Sequence, residues 1–471
     1  MLATGLDRYS GLLRTPILLV ALSVLTGCVK YRLKPLEPPR LEQEYRARSL
    51  SEPGLRSFVE ANAPAKASQW PPTKLNLEAL TLVAFYYSPG LEIARAQVAR
   101  ADARIVTARG RPNPSLAVGG GWSNSPESAF VFHFDPGFLI ETARKRGYRI
   151  LEAQRQAEVA RLEFAEAGWR IRSRLRSALL DHTLALRESE LLAREEQVRA
   201  EVVRIFEQRL TAGEVSRPDV DVAATRRNSA RVALTSAQGR VAETLAALAA
   251  AAGMPVRSLA AIGFDWPDFE KPPGRETLPI ATLQTAGLLN RLDVRRALME
   301  YAVTETALQL EVARQYPDIQ WNPGYSFDEG HHKFAIGPSL TLPVFNRNQG
   351  PIAEARARRE EAAARFAAFQ AQAISEMEKG LAQYHAALAE LVQVQTQLVT
   401  LQEQREKAAR RALEIGEADR LALAEIRLQS AVAARARLEA LCKAQAALGA
   451  LEDALQHPTQ AGMPVLPGRK P

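Results

Sequence analysis

The sequence has few aromatic residues, and one long stretch of it contains no proline. Only 6% of the 471 residues are aromatic, although 46% are hydrophobic. Alanine, leucine, arginine and glutamate dominate, which favours long helices over a compact mixed core. No proline occurs between Pro351, which suits a first helical turn, and Pro458. This stretch therefore predicts helices of unusual length.

The charge is neither large nor segregated. The net charge is +8, with basic residues interleaved among acids, which indicates a solvated helical surface and disfavours nucleic-acid binding. No nucleophile with a general base is recognisable, so we expect no enzyme and no cofactor. His331-His332 lack the spacing of a zinc signature and are interpreted as surface residues, so no metal site is predicted. Gly119-Gly120-Gly121 lies in a strand, where close packing is favoured over phosphate binding.

The first 27 residues have the pattern of a targeting segment. Basic residues precede the short apolar run 17–25, as in a signal peptide. The run ends in Leu25-Thr26-Gly27-Cys28, which resembles the bacterial lipoprotein box, and in that family the cysteine is lipidated. A chance cysteine after an ordinary signal peptide is the alternative. With Cys28 lipidated, Cys442 has no partner for a disulfide, and Val29 after the cysteine favours anchoring in the outer membrane.

From Leu75 onward the chain repeats itself at an offset of 203 residues. The paired positions include Leu75 with Leu278, Pro114 with Pro317, Gly213 with Gly416, and Pro255 with Pro458. Glycines and prolines set turns and helix ends, so the same architecture occurs twice. We predict an extended lipid-anchored arm over 28–74, repeats over 75–255 and 278–458, a linker over 256–277, and a tail over 459–471. The linker is compatible with one body or with two independent domains.

Each repeat predicts the same series of elements. A helix, from Leu75 to Arg111 in the first repeat, leads to a β-hairpin whose alternating residues mark strands with two different faces. A helix from Gly147 to Leu210, roughly 95 Å long, follows with coiled-coil spacing of its leucines, and a return helix completes the repeat. The fold class is mainly α with a small β part: duplicated long α-helical hairpins and two β-hairpins.

The strands of one chain cannot close into a barrel. Lipid-exposed sheet edges are excluded in a membrane because their backbone groups would be unsatisfied. If these strands lie in a membrane, several chains must share them. Three chains of four strands give a 12-stranded barrel, within the usual range. The long helices would then form a tube on one side only.

With this plan the chain resembles the TolC family of trimeric outer-membrane channels, over Leu75 to Pro458. The motifs are the duplication, the helix-tip turns Thr211–Ser216 and Glu414–Asp419, and the stretches Glu141–Gly147 and Leu342–Gly350. The last two are most similar to the heavy-metal efflux branch of CzcC type, which more often has glycine at the positions of Ala143 and Arg144. The resemblance implies a homotrimer with a β-barrel continued by a periplasmic α-helical barrel. Its partners would be a periplasmic adaptor protein, an inner-membrane pump of the resistance-nodulation-division class, and outer-membrane lipid.

The family's channel narrows at the periplasmic helix tips, where acidic residues ring the pore. Carried onto this sequence, the gate residues are Asp219, Asp221 and Glu425, with Arg217 and Arg420 as candidate partners. The implied adaptor-docking tips comprise Gly213, Glu214, Val215, Ser216, Gly416, Glu417, Ala418 and Asp419. Carboxylates in a narrow ring attract cations. The alternative is that they are ordinary first-turn acids, favoured by the helix dipole.

Three functions are compatible with these features. The leading hypothesis is a passive trimeric duct of a tripartite efflux pump, which exports small toxic solutes such as heavy-metal cations. A type I secretion channel is a second. A lipid-anchored periplasmic coiled-coil scaffold without a pore is the third, but a scaffold does not need two-faced strands between its helices.

Overall fold

The computed structural model describes residues 29–122, 124, 130–274, 276, 287–288, 290–328 and 330–459. The chain divides into two units, one ending at Ala47 and one beginning at Arg48. In the first unit, helix α1 covers Pro38–Ala47 and is exposed along its whole length. Its ion pair between Arg40 and Glu44, at 3.0 Å, supports an exposed helix only weakly.

Residues 48–74 belong to the core of the second unit, which corrects the prediction of an extended arm over 28–74. Helices α2 (Pro53–Asn62) and α3 (Pro64–Ala67) form here, and each begins at a proline. Leu55, Phe58 and Val59 are buried in the largest hydrophobic cluster. The proline-rich segment is thus held by burial of apolar surface.

The first repeat forms the elements expected of it, with one additional break. They are β1 (Lys74–Leu75), α4 (Leu77–Tyr87), α5 (Pro89–Arg109), β2 (Ser115–Trp122), β3 (Phe130–Ile140), α6 (Lys145–Thr211) and α7 (Arg217–Ala252), followed in the linker by β4 (Gly263–Phe264). The single helix predicted from Leu75 to Arg111 is wrong. It divides at Ser88, because Pro89 has no N–H to continue the backbone ladder and starts a new helix instead.

The second repeat has the same order but interrupted elements. They are α8 (Leu292–Ala313), β5 (Ile319–Trp321), β6 (Gly324–Asp328), β7 (His331–Ala335), β8 (Pro338–Leu340), α9 (Gln349–Gln393), a π-helical segment (Val394–Val399), α10 (Thr400–Glu414) and α11 (Arg420–Leu455). The mainly α fold with duplicated long hairpins and two β-hairpins is therefore confirmed. The predicted start of this repeat, Leu278, lies outside the described residues. Among the described helices, none is both long and apolar enough to cross a bilayer.

The linker packs against both repeats. Strand β4 pairs in parallel with β1. Farther along, the side chain of Gln445 on α11 donates to the Phe269 carbonyl at 2.9 Å, and the Tyr384 hydroxyl on α9 donates to the Pro273 carbonyl at 2.6 Å. Residues from Arg48 onward therefore form one body, rather than two independent domains.

The strands form one antiparallel sheet that is four strands wide. Strand β3 pairs with β2 on one side and with β5 and β6 on the other, and β8 and β7 pair with β5 and β6. The register of β5 and β6 against β3 is continuous, as Phe134 opposite Tyr325 and Phe138 opposite Trp321 show. Pro323 lies at the interruption, where it cannot donate to the ladder.

The 203-residue offset changes by one residue at the corner before the long helices. Helices α7 and α11 begin 203 residues apart, as do the tip glycines Gly213 and Gly416. The N-cap residues of α6 and α9, Arg144 and Asn348, are 204 residues apart. The long helix of the second repeat is therefore one residue shorter between its N-cap and its tip glycine.

Candidate functional site

The sheet has one apolar face and one polar face. Residues paired across strands share a face, so the register aligns the apolar row Val118, Phe134, Tyr325 and Phe334. Trp122 at the end of β2 is on the same face and is 84% exposed, and Phe334 is 81% exposed. A row of aromatic and aliphatic side chains, exposed except for the half-buried Tyr325, therefore crosses all four strands.

The opposite face carries small and polar residues. The register aligns Gly119, His133, Ser326 and Lys333 in one row. A Cβ atom on Gly119 would lie 2.0 Å from the ring of His133, so the ring occupies the space of a side chain. This close approach supports the packing interpretation of the three glycines. The apolar and polar faces together confirm that the strands have two different environments.

Both edges of the sheet lack a partner strand in the part of the chain that the structure describes. Among the described residues, β2 pairs only with β3, and β7 and β8 pair only with β6 and β5. An unpaired edge presents a row of backbone N–H and C=O groups that can pair with another chain. The sheet is therefore open at both sides.

The tips of the two helical hairpins have the same backbone structure. Gly213 and Gly416 have φ values of +78° and +80°, a conformation that glycine adopts without steric cost. The N–H of Glu214 donates to the Arg209 carbonyl at 2.9 Å, and the N–H of Glu417 donates to the Ala412 carbonyl at 2.8 Å. Both α6 and α10 thus end in a Schellman motif, as the sequence repeat predicted.

The predicted gate carboxylates are exposed at the start of the return helices. Asp219 accepts hydrogen bonds from the Ser216 hydroxyl at 2.5 Å and the Ser216 N–H at 2.9 Å, as in a capping box, and these bonds lower the pKa of its carboxyl. Arg217 pairs with Asp221 at 3.1 Å rather than with Asp219. Glu425 and Arg420 are exposed on α11.

An ion pair joins the two hairpin tips, and the sequence did not reveal it. Arg209, near the end of α6, contacts Asp419, the N-cap of α11. Asp419 also accepts from the N–H of Ala422 at 2.8 Å, and this backbone bond together with Arg209 lowers the pKa of Asp419. The pair spans 210 positions of sequence, so no local pattern indicates it.

A buried charge cluster joins α6 of the first repeat to α11 of the second. Glu452 accepts from Arg172 at 3.0 Å and lies 3.3 Å from Arg176. Burial opposes ionisation of Glu452, but the two arginines outweigh it and keep the pKa of this carboxyl below its usual value. The neighbouring Asp453 accepts from Trp169 and Ser173 at 3.0 and 2.6 Å, and its pKa is raised by burial. The available sequence signal was a charged residue, Glu452, opposite Ala249 at the 203-residue offset.

The corners between sheet and helix are held by a second ionic cluster. Lys145 is buried and pairs with Asp318 at 2.7 Å, and Asp318 also accepts from the N–H of Thr142 at 2.9 Å. Lys145 is therefore a structural residue. Ala143 and Arg144 have φ values of +52° and +58°, which explains why glycine suits these positions.

Known proteins resemble this chain in sequence and in fold. Residues 86–254 match the model of the outer membrane efflux protein family. The chain is similar to that family over these residues. The matched residues include α5, the hairpin of β2 and β3, and the whole hairpin of α6 and α7, so they contain both the two-faced strands and the first helical tip.

Individual proteins also resemble the chain, one in sequence and others in fold. The cobalt-zinc-cadmium resistance protein CzcC of Cupriavidus metallidurans is 27% identical over 285 residues, which are 59% of this chain and 65% of that relative. The crystal structure of the outer membrane protein VceC of Vibrio cholerae superposes with a TM-score of 0.65 at 22% identity, covering 81% of this chain and 96% of VceC. The open state of the Neisseria gonorrhoeae MtrE outer membrane channel has a TM-score of 0.65 at 17% identity, covering 81% and 89%.

Three of the predicted features lie at the ends of the chain. The lipidation site Cys28 and the signal peptide 1–27 lie outside the described residues, as does the tail after Thr459. Cys442 is half-buried beside Leu180, Phe269 and Leu441, in agreement with its predicted place in a helical core.

Proposed function

We propose that this protein is the outer-membrane channel of a tripartite efflux pump, a passive homotrimeric duct that exports small toxic solutes to the outside. The observation that carries the proposal is the two-faced sheet with both edges unpaired. Three copies joined edge to edge give a 12-stranded barrel, which would place the apolar row of Val118, Phe134, Tyr325 and Phe334 toward lipid.

The long helical hairpins supply the periplasmic part. Helix α6 has 67 residues, or about 100 Å at ~1.5 Å per residue, which is far more than a packed domain requires. A scaffold without a pore would explain these helices but not the apolar face of the sheet. Lipidation at Cys28 would add an anchor to the same membrane.

The hairpin tips are the proposed constriction and adaptor-docking surface. Asp219, Asp221 and Glu425 are exposed there, and three chains around one axis would bring their charges together. Such a ring is tolerated when cations or basic side chains compensate it. The pair of Arg209 with Asp419 ties one hairpin to the other, so opening requires the tips to move together or this pair to separate.

The proposed cargo and partners follow from the family. A relative named for cobalt, zinc and cadmium resistance supports metal cations as the exported solute. A periplasmic adaptor would dock on the tip turns 211–216 and 414–419, and an inner-membrane pump of the resistance-nodulation-division class would drive transport. The duct itself needs neither a cofactor nor catalysis.

Native mass spectrometry and planar-bilayer recording test the proposal. We expect a trimer in detergent and cation-selective single channels that a trivalent cation blocks. Asp219→Ala with Glu425→Ala should weaken block and selectivity. A stable monomer would reject the trimeric duct.

The matched control is Glu158→Ala with Glu361→Ala, which removes two exposed carboxylates from α6 and α9, far along the helices from the tips. This control should leave block unchanged. If both double variants behave like the wild type, the constriction lies elsewhere, whereas a trimeric channel would still stand.

A further inference from the structure

A cleft of about 550 Å³ lies where α8 ends and α9 begins. Val312 of α8, Ile352 of α9, and Val344 and Phe345 of the loop between sheet and helix supply apolar walls. Arg347 and Arg356 supply the charge. Among the described residues that line this cleft, none is acidic. The cleft therefore combines apolar walls with positive charge, and its described lining carries no negative charge.

The two arginines are not neutralised by their surroundings. Both are exposed, and neither guanidinium has a hydrogen-bond or ion-pair partner within the described ranges. The nearest acids along the chain are already engaged: Glu311 pairs with Arg314 at 2.5 Å, and Glu354 pairs with Arg358. Two unpaired guanidinium groups without a local carboxylate favour a phosphate ligand, which arginine binds with a planar fork of donors.

The cleft is held in place by the corner that forms it. The N–H of Asn348 donates to the side chain of Asn346 at 2.8 Å, and the N–H of Arg347 donates to the side chain of Gln349 at 2.7 Å. The side-chain amide of Asn348 donates to the carbonyl of Glu311 at 2.8 Å. The loop that carries Arg347 is thus pinned to the end of α8 before any ligand arrives, which reduces the entropic cost of binding.

The apolar wall of the cleft continues toward the sheet. Leu340 and Leu342 line an adjoining cleft that shares Phe345, and both leucines are exposed. Val344 and Phe345 are 64% and 96% exposed. A monomeric surface rarely leaves adjacent large apolar side chains so exposed without a partner. Apolar residues on the sheet side and arginines on the helix side match the boundary of a membrane with an anionic leaflet surface.

We propose that this cleft binds the phosphodiester headgroup of an anionic phospholipid. Arg347 and Arg356 contact the phosphate, and Val344 and Phe345 contact the first part of the acyl chains. The inference rests on the proposed function, because it requires the apolar sheet face to lie in the outer membrane. The inference adds that the protein selects anionic phospholipid at the loop between the sheet and α9.

The test is native mass spectrometry of the full-length protein in mild detergent, titrated with phosphatidylglycerol or with phosphatidylcholine of the same acyl chains. We expect phosphatidylglycerol to be retained preferentially. Arg347→Gln with Arg356→Gln should weaken that binding roughly tenfold or more, because two basic residues near an anionic surface are lost together. Phe345→Ser should weaken the binding of both lipids.

The matched control is Arg226→Gln with Arg231→Gln on α7, two exposed arginines whose loss changes the charge equally. This control should retain phosphatidylglycerol like the wild type. Equal retention by the Arg347/Arg356 variant, equal retention of the two lipids, or displacement by inorganic phosphate at the same concentration would each overturn the proposal. The same spectra report the oligomer, so a trimer without lipid preference refutes this inference alone, whereas a monomer refutes the proposed function.

Discussion

The two repeats have the same order of elements, but they differ in structure or residue type at three places. Helix α6 is continuous over 67 residues, whereas its counterpart is divided by a six-residue π-helical segment. The first repeat uses Ala143 and Arg144 at a left-handed corner, and the second uses Asn348. Ala249 in α7 corresponds to the charged Glu452 in α11. The first repeat thus has the continuous long helix, and the second has the interrupted long helix and the buried carboxylate of Glu452.

One of these differences lies where the two repeats meet. Glu452 contacts Arg172 and Arg176, which belong to the other repeat. A duplicated chain needs at least one contact that distinguishes one half from the other, and a buried polar network can specify such a contact.

The largest expected effect on stability comes from breaking the buried charge cluster between α6 and α11. Glu452→Ala leaves Arg172 and Arg176 buried without a counter-charge, which should lower the free energy of unfolding by ~3–5 kcal/mol. Denaturant unfolding of the purified protein measures this. Glu439→Ala, on the same helix and paired with Lys443 at 71% exposure, should change it by less than ~1 kcal/mol. Equal losses of unfolding free energy in the two variants would mean that the buried cluster stabilises the protein no more than the exposed pair does.

The carboxyl of Glu452 also predicts that the stability of the protein depends on pH. The folded pKa of Glu452 is lowered, so its contribution is present above the unfolded value of about 4.3 and is lost as the pH falls through the folded pKa. The difference in Tm between wild type and Glu452→Gln should therefore be large at pH 7 and should narrow in strong acid. A difference that grows on acidification would contradict the assigned direction.

The hairpin tips allow a smaller and more local test. Asp419 both caps α11 and pairs with Arg209, so Asp419→Ala should cost ~1 kcal/mol. Asp419→Asn keeps a capping side chain and removes the ion pair, and it should cost less. Thermal unfolding ranks the stability of the two variants. If Asp419→Asn removes only the ion pair, Arg209→Gln should lower the stability by the same amount.

The corner of the first repeat should tolerate a change that stabilises it. Ala143→Gly removes the steric cost of a positive φ and should raise the free energy of unfolding by ~0.5–1 kcal/mol. The control is Ala153, which is buried within α6, and Ala153→Gly should destabilise the protein by at least ~0.5–1 kcal/mol. Denaturant unfolding compares the two variants. Destabilisation at both positions would argue against the corner explanation.

The smallest expected effect concerns the π-helical segment. Its longer hydrogen-bonded turn weakens the local ladder, so amides of Val394–Val399 should exchange with solvent faster than those of 190–195 in α6. Hydrogen-exchange mass spectrometry compares the two stretches in the same sample. Equal protection would mean that the interruption has no dynamic consequence.

Most of the repeated plan could be predicted from the sequence because its signals are local. Tip glycines require positive φ, and the Ser216–Asp219 spacing forms its cap within four residues. The strand alternation depends only on a period of two. The Leu75–Arg111 helix was wrong because Pro89 was given no weight as a break, and residues 48–74 were misassigned because proline content does not reveal what a segment packs against.

The sequence by itself determined the duplication, the length of the first long helix, the tip turns and the two faces of the strands, since each follows from residue type and spacing along the chain. Only the tertiary structure decided that the linker packs into one body, that Arg209 meets Asp419, and that Arg172 and Arg176 surround Glu452. It also decided that Arg347 and Arg356 share a cleft without an acid. These contacts join residues whose proximity depends on how helices pack, and packing is set by the whole core rather than by any local pattern.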